Sequence, residues 1–126
     1  MDTVYAGRLV RPMSGKVRRR LKEAMSHAFV EPVTGYLTHV RIVSASGLGF
    51  VYGHVRADVF GRFADGHLIR TSDVRYARKE GPFWVLTTLN SRYVIVSFKK
   101  YEGRPSLQYF LKNLQSSVHL TPARLQ

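Results

Sequence analysis

The chain has 126 residues, 20 Lys+Arg against 8 Asp+Glu for a formal charge of +12, and is 44% hydrophobic and 12% aromatic. That composition excludes a disordered basic tail, which lacks aromatic and β-branched residues, and the length suits one domain, 1–126, with a real core. Zero Cys excludes disulfides, thiolate zinc sites, iron–sulfur clusters and a cysteine nucleophile, and no apolar run approaches the ~18 residues of a membrane span.

In chain order, Val4–Val10 reads as a short extended segment closed by Arg11-Pro12. Ser14 has the character of an N-cap, and Val17, Leu21, Ala24, Met25 and Ala28 recur at helical spacing. At about 100° per residue these positions form one apolar arc. The spacing therefore predicts an amphipathic helix over 15–29, with Lys16, Arg18, Arg19, Arg20 and Lys22 around the rest of its circumference. Glu31-Pro32 ends it, because Pro disfavours the helical conformation in the residue before it.

The period then changes to that of strands. Tyr36–Ser44 and Leu48–Arg56 make a hairpin about the turn Ala45-Ser46-Gly47. Residues 57–67 form a loop ending in the turn signal Asp65-Gly66. Leu68–Ala77 is a third strand, and Arg78–Pro82 an exposed turn. Phe83–Leu89 and Arg92–Phe98 flank Asn90-Ser91 as a hairpin, a two-residue turn there pairing Leu86 with Ile95, Thr88 with Tyr93 and Val85 with Val96. Both faces of that ribbon are mostly apolar, which predicts a central, covered position. Lys99–Pro105 reads as a basic loop, and Ser106 as the cap of a last helix striped by Leu107, Phe110, Leu111 and Leu114. The polar segment 116–126, with Pro122, reads as a flexible tail. The fold class is α+β: about five or six antiparallel strands, flat or curled into a small barrel, with an N-terminal basic amphipathic helix and a C-terminal helix.

The charge is unevenly placed. Residues 1–22 hold Arg8, Arg11, Lys16, Arg18, Arg19, Arg20 and Lys22 against the single acid Asp2, and 56–79 hold Arg56, Arg62, Arg70, Arg75, Arg78 and Lys79 mixed with Asp58, Asp65 and Asp73. Such a basic surface implies an anionic partner, either nucleic acid (DNA or RNA) or an acidic host protein or ribonucleoprotein complex. Phosphate contacts are expected from Lys16, Arg18, Arg19, Arg20 and Lys22, with Arg56, Arg62, Arg70 and Arg75 as a second group. Aromatics interleave with these cations, and Phe63, Tyr76 and Tyr93 are the candidates for base stacking, whereas Phe50, Phe60 and Phe83 are assigned to the core. No ribonucleoprotein signature, zinc-finger spacing or helix-opening Gly-rich loop is present, so these signals define a class of ligand and nothing finer.

A second chemistry competes. His54, Asp65 and His67, with Asp58 between them, offer the imidazole and carboxylate ligands of a metal-dependent enzyme, or a His general base oriented by Asp. Their spacing matches no known metal motif. Ser44, Ser46, Ser72 and Ser91 lack the strand–Gly-X-Ser-X-Gly–helix context of a nucleophile. The helix at 15–29 has an apolar face of Ala, Val, Leu and Met without Trp, which suits packing on a sheet better than insertion among lipid headgroups.

Gly53-His54-Val55-Arg56, then Asp65-Gly66, Thr71-Ser72 and Asn90-Ser91-Arg92-Tyr93, form a Gly-His-X-Arg…Asp-Gly…Thr-Ser…Tyr arrangement over roughly a third of the chain. The arrangement resembles small uncharacterised phage- and plasmid-encoded proteins. The resemblance carries over no residue role. It implies a mobile-element protein acting in the cytoplasm of a bacterial host, inhibitors of host defence nucleases included. The leading expectation is a non-enzymatic nucleic-acid-binding protein without cofactor or catalytic residues. The alternatives are a protein-binding inhibitor of a host defence complex, of the anti-CRISPR type, and a metal-dependent enzyme using His54, Asp65 and His67.

Overall fold

A computed structural model describes residues 3–10, 12–56 and 60–120, with side chains over 12–56 and 60–114. The chain runs β1 (Thr3–Val10), α1 (Gly15–Ser26), β2 (Gly35–Val43), β3 (Ser46–Tyr52), β4 (His67–Asp73), β5 (Tyr76–Glu80), β6 (Phe83–Thr87), β7 (Arg92–Ile95) and α2 (Gly103–Leu120). The α+β class holds, with a helix near each end. The strands form one seven-stranded sheet in the order β1-β4-β3-β2-β7-β6-β5. Two antiparallel meanders, β2-β3-β4 and β5-β6-β7, lie side by side through a parallel ladder between β2 and β7, with Gly35, Tyr36 and Leu37 opposite Tyr93, Val94 and Ile95. That parallel pair departs from the all-antiparallel expectation. It joins residues almost 60 positions apart, where no turn signal exists to announce it.

The expected third strand, Leu68–Ala77, is a bent strand shared by both meanders. Val74 and Arg75 leave the ladder, the Val74 N–H donating to Ala45 O (2.7 Å) and the Arg75 N–H to Thr87 O (2.7 Å). Three Cα–Cα steps of 3.8 Å then limit the gap between Asp73 and Tyr76 to about 11 Å. In a flat sheet, five strand spacings would put β4 about 24 Å from β5. The sheet must therefore coil. A Cβ built on Gly47 of β3 would stand 2.8 Å from Leu86 Cδ1 on β6, although three strand spacings, about 14 Å, separate those strands along the ladders. Among the described residues no ladder joins β5 to β4 or β1, so the coil does not close into a barrel.

Coiling makes two cores. The concave side collects Leu37, Val40, Val51, Phe63, Ile69, Val74, Leu86, Tyr93 and Ile95, with Phe98 and Phe110 of the C-terminal region against them. The convex side packs Phe50, Tyr52, Phe83, Val85, Val94 and Val96 beneath Leu21 and Ala24 of α1. Each fully buried Val, Leu or Ile contributes about 1.5–3 kcal/mol of transfer free energy.

Local boundaries shift where tertiary contacts override pattern. Helix α1 stops at Ser26, not 29, because His27 is extended (ψ 138°) and its ring packs edge-on to Phe29 and Phe83, with centroids 4.6 and 5.8 Å away. The β2–β3 turn is Ser44-Ala45, both at positive φ (47° and 69°), so Ser46 and Gly47 belong to β3. Arg78–Glu80, expected as a turn, continue β5 by pairing with Val85, Trp84 and Phe83, and only Gly81 (φ 59°) and Pro82 reverse the chain.

The β6–β7 register is Trp84 with Ile95, Val85 with Val94 and Leu86 with Tyr93. It is displaced by two residues from the two-residue turn expected at Asn90-Ser91, which leaves every side chain on its anticipated face. Thr88 and Ser91 close a longer connection, the Thr88 N–H donating to Ser91 O (2.9 Å) and the Ser91 N–H to Thr88 Oγ1 (3.0 Å). Helix α2 begins at Gly103 rather than at a Ser106 cap. The Ser106 hydroxyl donates to Gly103 O (2.7 Å) and accepts from the Ile42 N–H (2.8 Å), pinning α2 to β2. The α2 backbone is helical to Leu120, so the expected tail is helical over 116–120, while 121–126 lie outside the described residues.

Replacing Gly47 by Val should cost about 1–3 kcal/mol in chemical denaturation by crowding Leu86 across the coil. Gly15→Ala, where a Cβ meets nothing within 4 Å, should be neutral or stabilising by up to about 1 kcal/mol.

Candidate nucleic-acid interface

The Ser14 hydroxyl accepts the Val17 N–H at 3.2 Å, which satisfies one free amide in the first turn of α1. Leu21 and Ala24 then fix the buried stripe, and Lys16, Arg18, Arg19 and Lys22 lie exposed around it. Arg20 does not join them. Its Nη2 donates to Pro82 O at 2.9 Å, and its guanidinium stacks 4.3 Å from the Phe83 ring centroid, so this cation anchors α1 to the β5–β6 turn. Burial pushes the Tyr52 hydroxyl above its ordinary value, Asp65 adds to this and Arg18 opposes it, which puts Arg18 within electrostatic reach of the end of β3.

The second expected group is divided. Alternation along β4 places Arg70 on the face of Leu68, the convex face that α1 covers. Arg78, expected from sequence in a turn, lies instead in β5 opposite Val85 and shares that face. Arg75 is exposed at the β4–β5 bend. Arg56 hydrogen-bonds to Asn90 O beside a cleft of about 450 Å³ that also includes Glu31, Val55 and Leu89, and Arg62 lies 5.3 Å from the Phe60 ring centroid in the loop after β3. The fold therefore joins Arg70 to the α1 cations and sets Arg56 apart at the cleft.

Three of the acids are paired with cations outside α1. Glu80 and Glu31 pair with Arg92 (2.9 and 3.9 Å), and Glu102 with Lys99 and Arg41 (3.1 and 3.3 Å). Asp65 Oδ1 accepts the Gly53 N–H at 2.8 Å. Glu23 approaches Arg20 only at 4.0 Å and on the surface, where such pairs contribute about 0–1 kcal/mol. Among the described residues no ion pair involves Lys16, Arg18, Arg19, Lys22, Arg70 or Arg78.

Of the stacking candidates, Phe63 and Tyr93 are corrected to core residues, at 7% and 0% exposure. Phe63 lies parallel to His54 with centroids 4.5 Å apart, and the Tyr93 hydroxyl is 2.9 Å from His54 Nε2, so both rings are consumed in closing one end of the coil. Tyr76 is the candidate that stays on the surface, 38% exposed, with the Arg78 guanidinium 5.1 Å from its centroid. Phe60, assigned to the core from sequence, is 77% exposed, because the loop folds inward at Phe63 instead. Phe50 and Phe83 are core residues as expected.

His54, Asp65 and His67 do not converge on a metal geometry, and among the described residues no group of three or more His, Cys, Asp or Glu side chains does so. The Arg56 N–H donates to His54 Nδ1 at 3.0 Å. That nitrogen therefore carries no proton, and Nε2–H donates to the Tyr93 hydroxyl. Both ring nitrogens and the Asp65 carboxylate thus hold the turn after β3. Asp58 lies outside the described residues. Also among the described residues, no helix is long and apolar enough to cross a membrane.

No protein-family model, curated protein or solved structure matches the chain.

The strongest ionic contact is one the sequence did not announce, since Glu80 and Arg92 are 12 residues apart on separate strands. Arg92 donates to both Glu80 oxygens (2.9 and 3.1 Å) with both side chains largely shielded, at 11% and 14% exposure. These hydrogen bonds hold the Glu80 carboxyl below its ordinary value of 4.5 in spite of burial, and the same bonds raise Arg92. A depressed folded value means that the unfolded chain binds the proton more readily. The pair's stabilisation is therefore present above about pH 4.5 and is lost as pH falls through the folded value. Thermal melts from pH 7 to 3 should show a steeper acid loss in the wild type than in Glu80→Gln, and Arg92→Met should cost about 3 kcal/mol at pH 7 by leaving a shielded carboxylate without its counter-charge.

Proposed function

We propose that this chain is a non-enzymatic nucleic-acid-binding protein of a phage or other mobile element, and that it holds its ligand mainly through phosphate contacts. The observation that carries the reading is the exposed side of α1. Lys16, Arg18, Arg19 and Lys22 lie there in no ion pair among the described residues, while Glu31, Glu80 and Glu102 pair with Arg92, Lys99 and Arg41. Cations that meet phosphate release condensed counterions, which favours binding to any sequence and ties affinity to salt. Arg70 and Arg78, on the same convex face, extend the phosphate-binding surface beyond the helix. The mobile-element assignment rests on the resemblance of the central stretch to phage- and plasmid-encoded proteins.

A second reading draws on a different surface. Val30, Val55 and Leu89 are exposed apolar residues, and the latter two line the cleft next to Arg56. That combination suits a protein partner, as in an inhibitor docking on a host defence complex of the anti-CRISPR type. A host protein that co-purifies after nuclease treatment favours this reading, and recovery of nucleic acid alone counts against it.

For the leading reading, four phosphate contacts give a slope of log K on log salt of about −3 to −4. Titrating labelled DNA and RNA across salt concentrations should return that slope. Reversing Arg18, Arg19 and Lys22 to Glu should lower affinity at low salt by more than about tenfold and flatten the slope. Unchanged affinity in the reversed variant would overturn the proposal.

A further inference from the structure

We infer that the basic side takes nucleic acid with unpaired bases, and that Tyr76 is its stacking residue; this rests on the nucleic-acid reading above. β5 is the outermost strand of its meander, so among the described residues no strand is paired beyond Tyr76. The register fixes the face: Tyr76 opposes Thr87 and Arg78 opposes Val85, which puts both side chains on the convex side with α1. The ring is 38% exposed, and the Arg78 guanidinium, 5.1 Å from its centroid, holds it by a cation–π contact. Glu80, next in the same row, would repel phosphate, but Arg92 compensates its charge through two hydrogen bonds. Beyond Glu80 stands the Gly81-Pro82 turn that Arg20 grips, 2.9 Å from Pro82 O. The α1 cations and the Tyr76 ring therefore belong to one continuous side of the molecule.

The chemistry selects the strand state. A flat ring beside phosphate-binding cations offers a π-face to a base, and every base has such a face whatever its sequence. In a duplex both faces of each base are already stacked on neighbours, so an exposed tyrosine gains nothing there. In a single strand, base–aromatic stacking contributes about 1–3 kcal/mol per base by alanine substitution, and it recruits DNA and RNA alike.

The test is fluorescence anisotropy with labelled oligothymidine, oligouridine and a DNA duplex of equal length, on the full chain. Tyr76→Ala should weaken both single strands by about 5- to 100-fold and leave the duplex within about twofold, whereas Tyr76→Phe keeps wild-type affinity. Comparison of the oligothymidine and oligouridine arms separates a DNA ligand from an RNA ligand. Matching circular dichroism melts for the two variants show that the loss is not unfolding. If Tyr76→Ala binds single strands like the wild type, or loses duplex affinity equally, the stacking assignment is overturned; the phosphate reading survives provided that Arg19→Glu with Lys22→Glu still weakens all three ligands. If the wild type binds none of them, both readings fall together.

Discussion

A two-residue connector governs this fold. Val74 and Arg75 link strands at opposite ends of the six-stranded run from β4 to β5, and the chain can span that gap only if the sheet coils. By the sense of the ladders β4 and β5 run the same way, so the connection is a bend in one long strand and not a hairpin. Coiling brings Gly47 against Leu86, gathers the Leu37–Tyr93–Ile95 core on the concave side and leaves a convex side for α1 to cover. Where the basic helix sits is thus a consequence of how short the connector is.

The same geometry sorts the charges. Arg92 points to the convex side of the sheet, where it would be costly without a partner, and Glu80 of the edge strand β5 supplies one through two hydrogen bonds. Glu31 adds to the same centre, while Glu102 is held at the start of α2 by Lys99 and Arg41. With these carboxylates engaged, Lys16, Arg18, Arg19 and Lys22 stand on the outside of α1 in no ion pair among the described residues. A share of the +12 net charge thus gathers on the exposed side of α1.

The elements were largely legible. Apolar spacing marked α1, the β2–β3 and β6–β7 hairpins and the Leu107 stripe of α2, because a helix or strand that covers a core repeats its own period in sequence. The failures have physical causes. The β6–β7 register was set by Thr88 and Ser91 hydroxyl and backbone bonds, not by the Asn90-Ser91 pair that resembled a tight turn. Alternation cannot separate a stacking aromatic from a packed one: Phe63 and Tyr93 went inside against His54, while Phe60 and Tyr76 stayed out. His54 and Asp65 looked like ligands because turn-holding and metal-binding draw on the same polar atoms.

By itself the sequence determined the class, the presence of a basic amphipathic helix and the absence of any thiol chemistry, since composition and periodicity are local properties. The tertiary structure decided which cations remain available. It took Arg20 to the Phe83 ring and Arg92 to Glu80, turned Arg70 and Arg78 to the side of α1, and set the parallel β2–β7 seam. Those outcomes depend on contacts between residues tens of positions apart, whose partners are fixed only when the coil forms, and no local pattern encodes them.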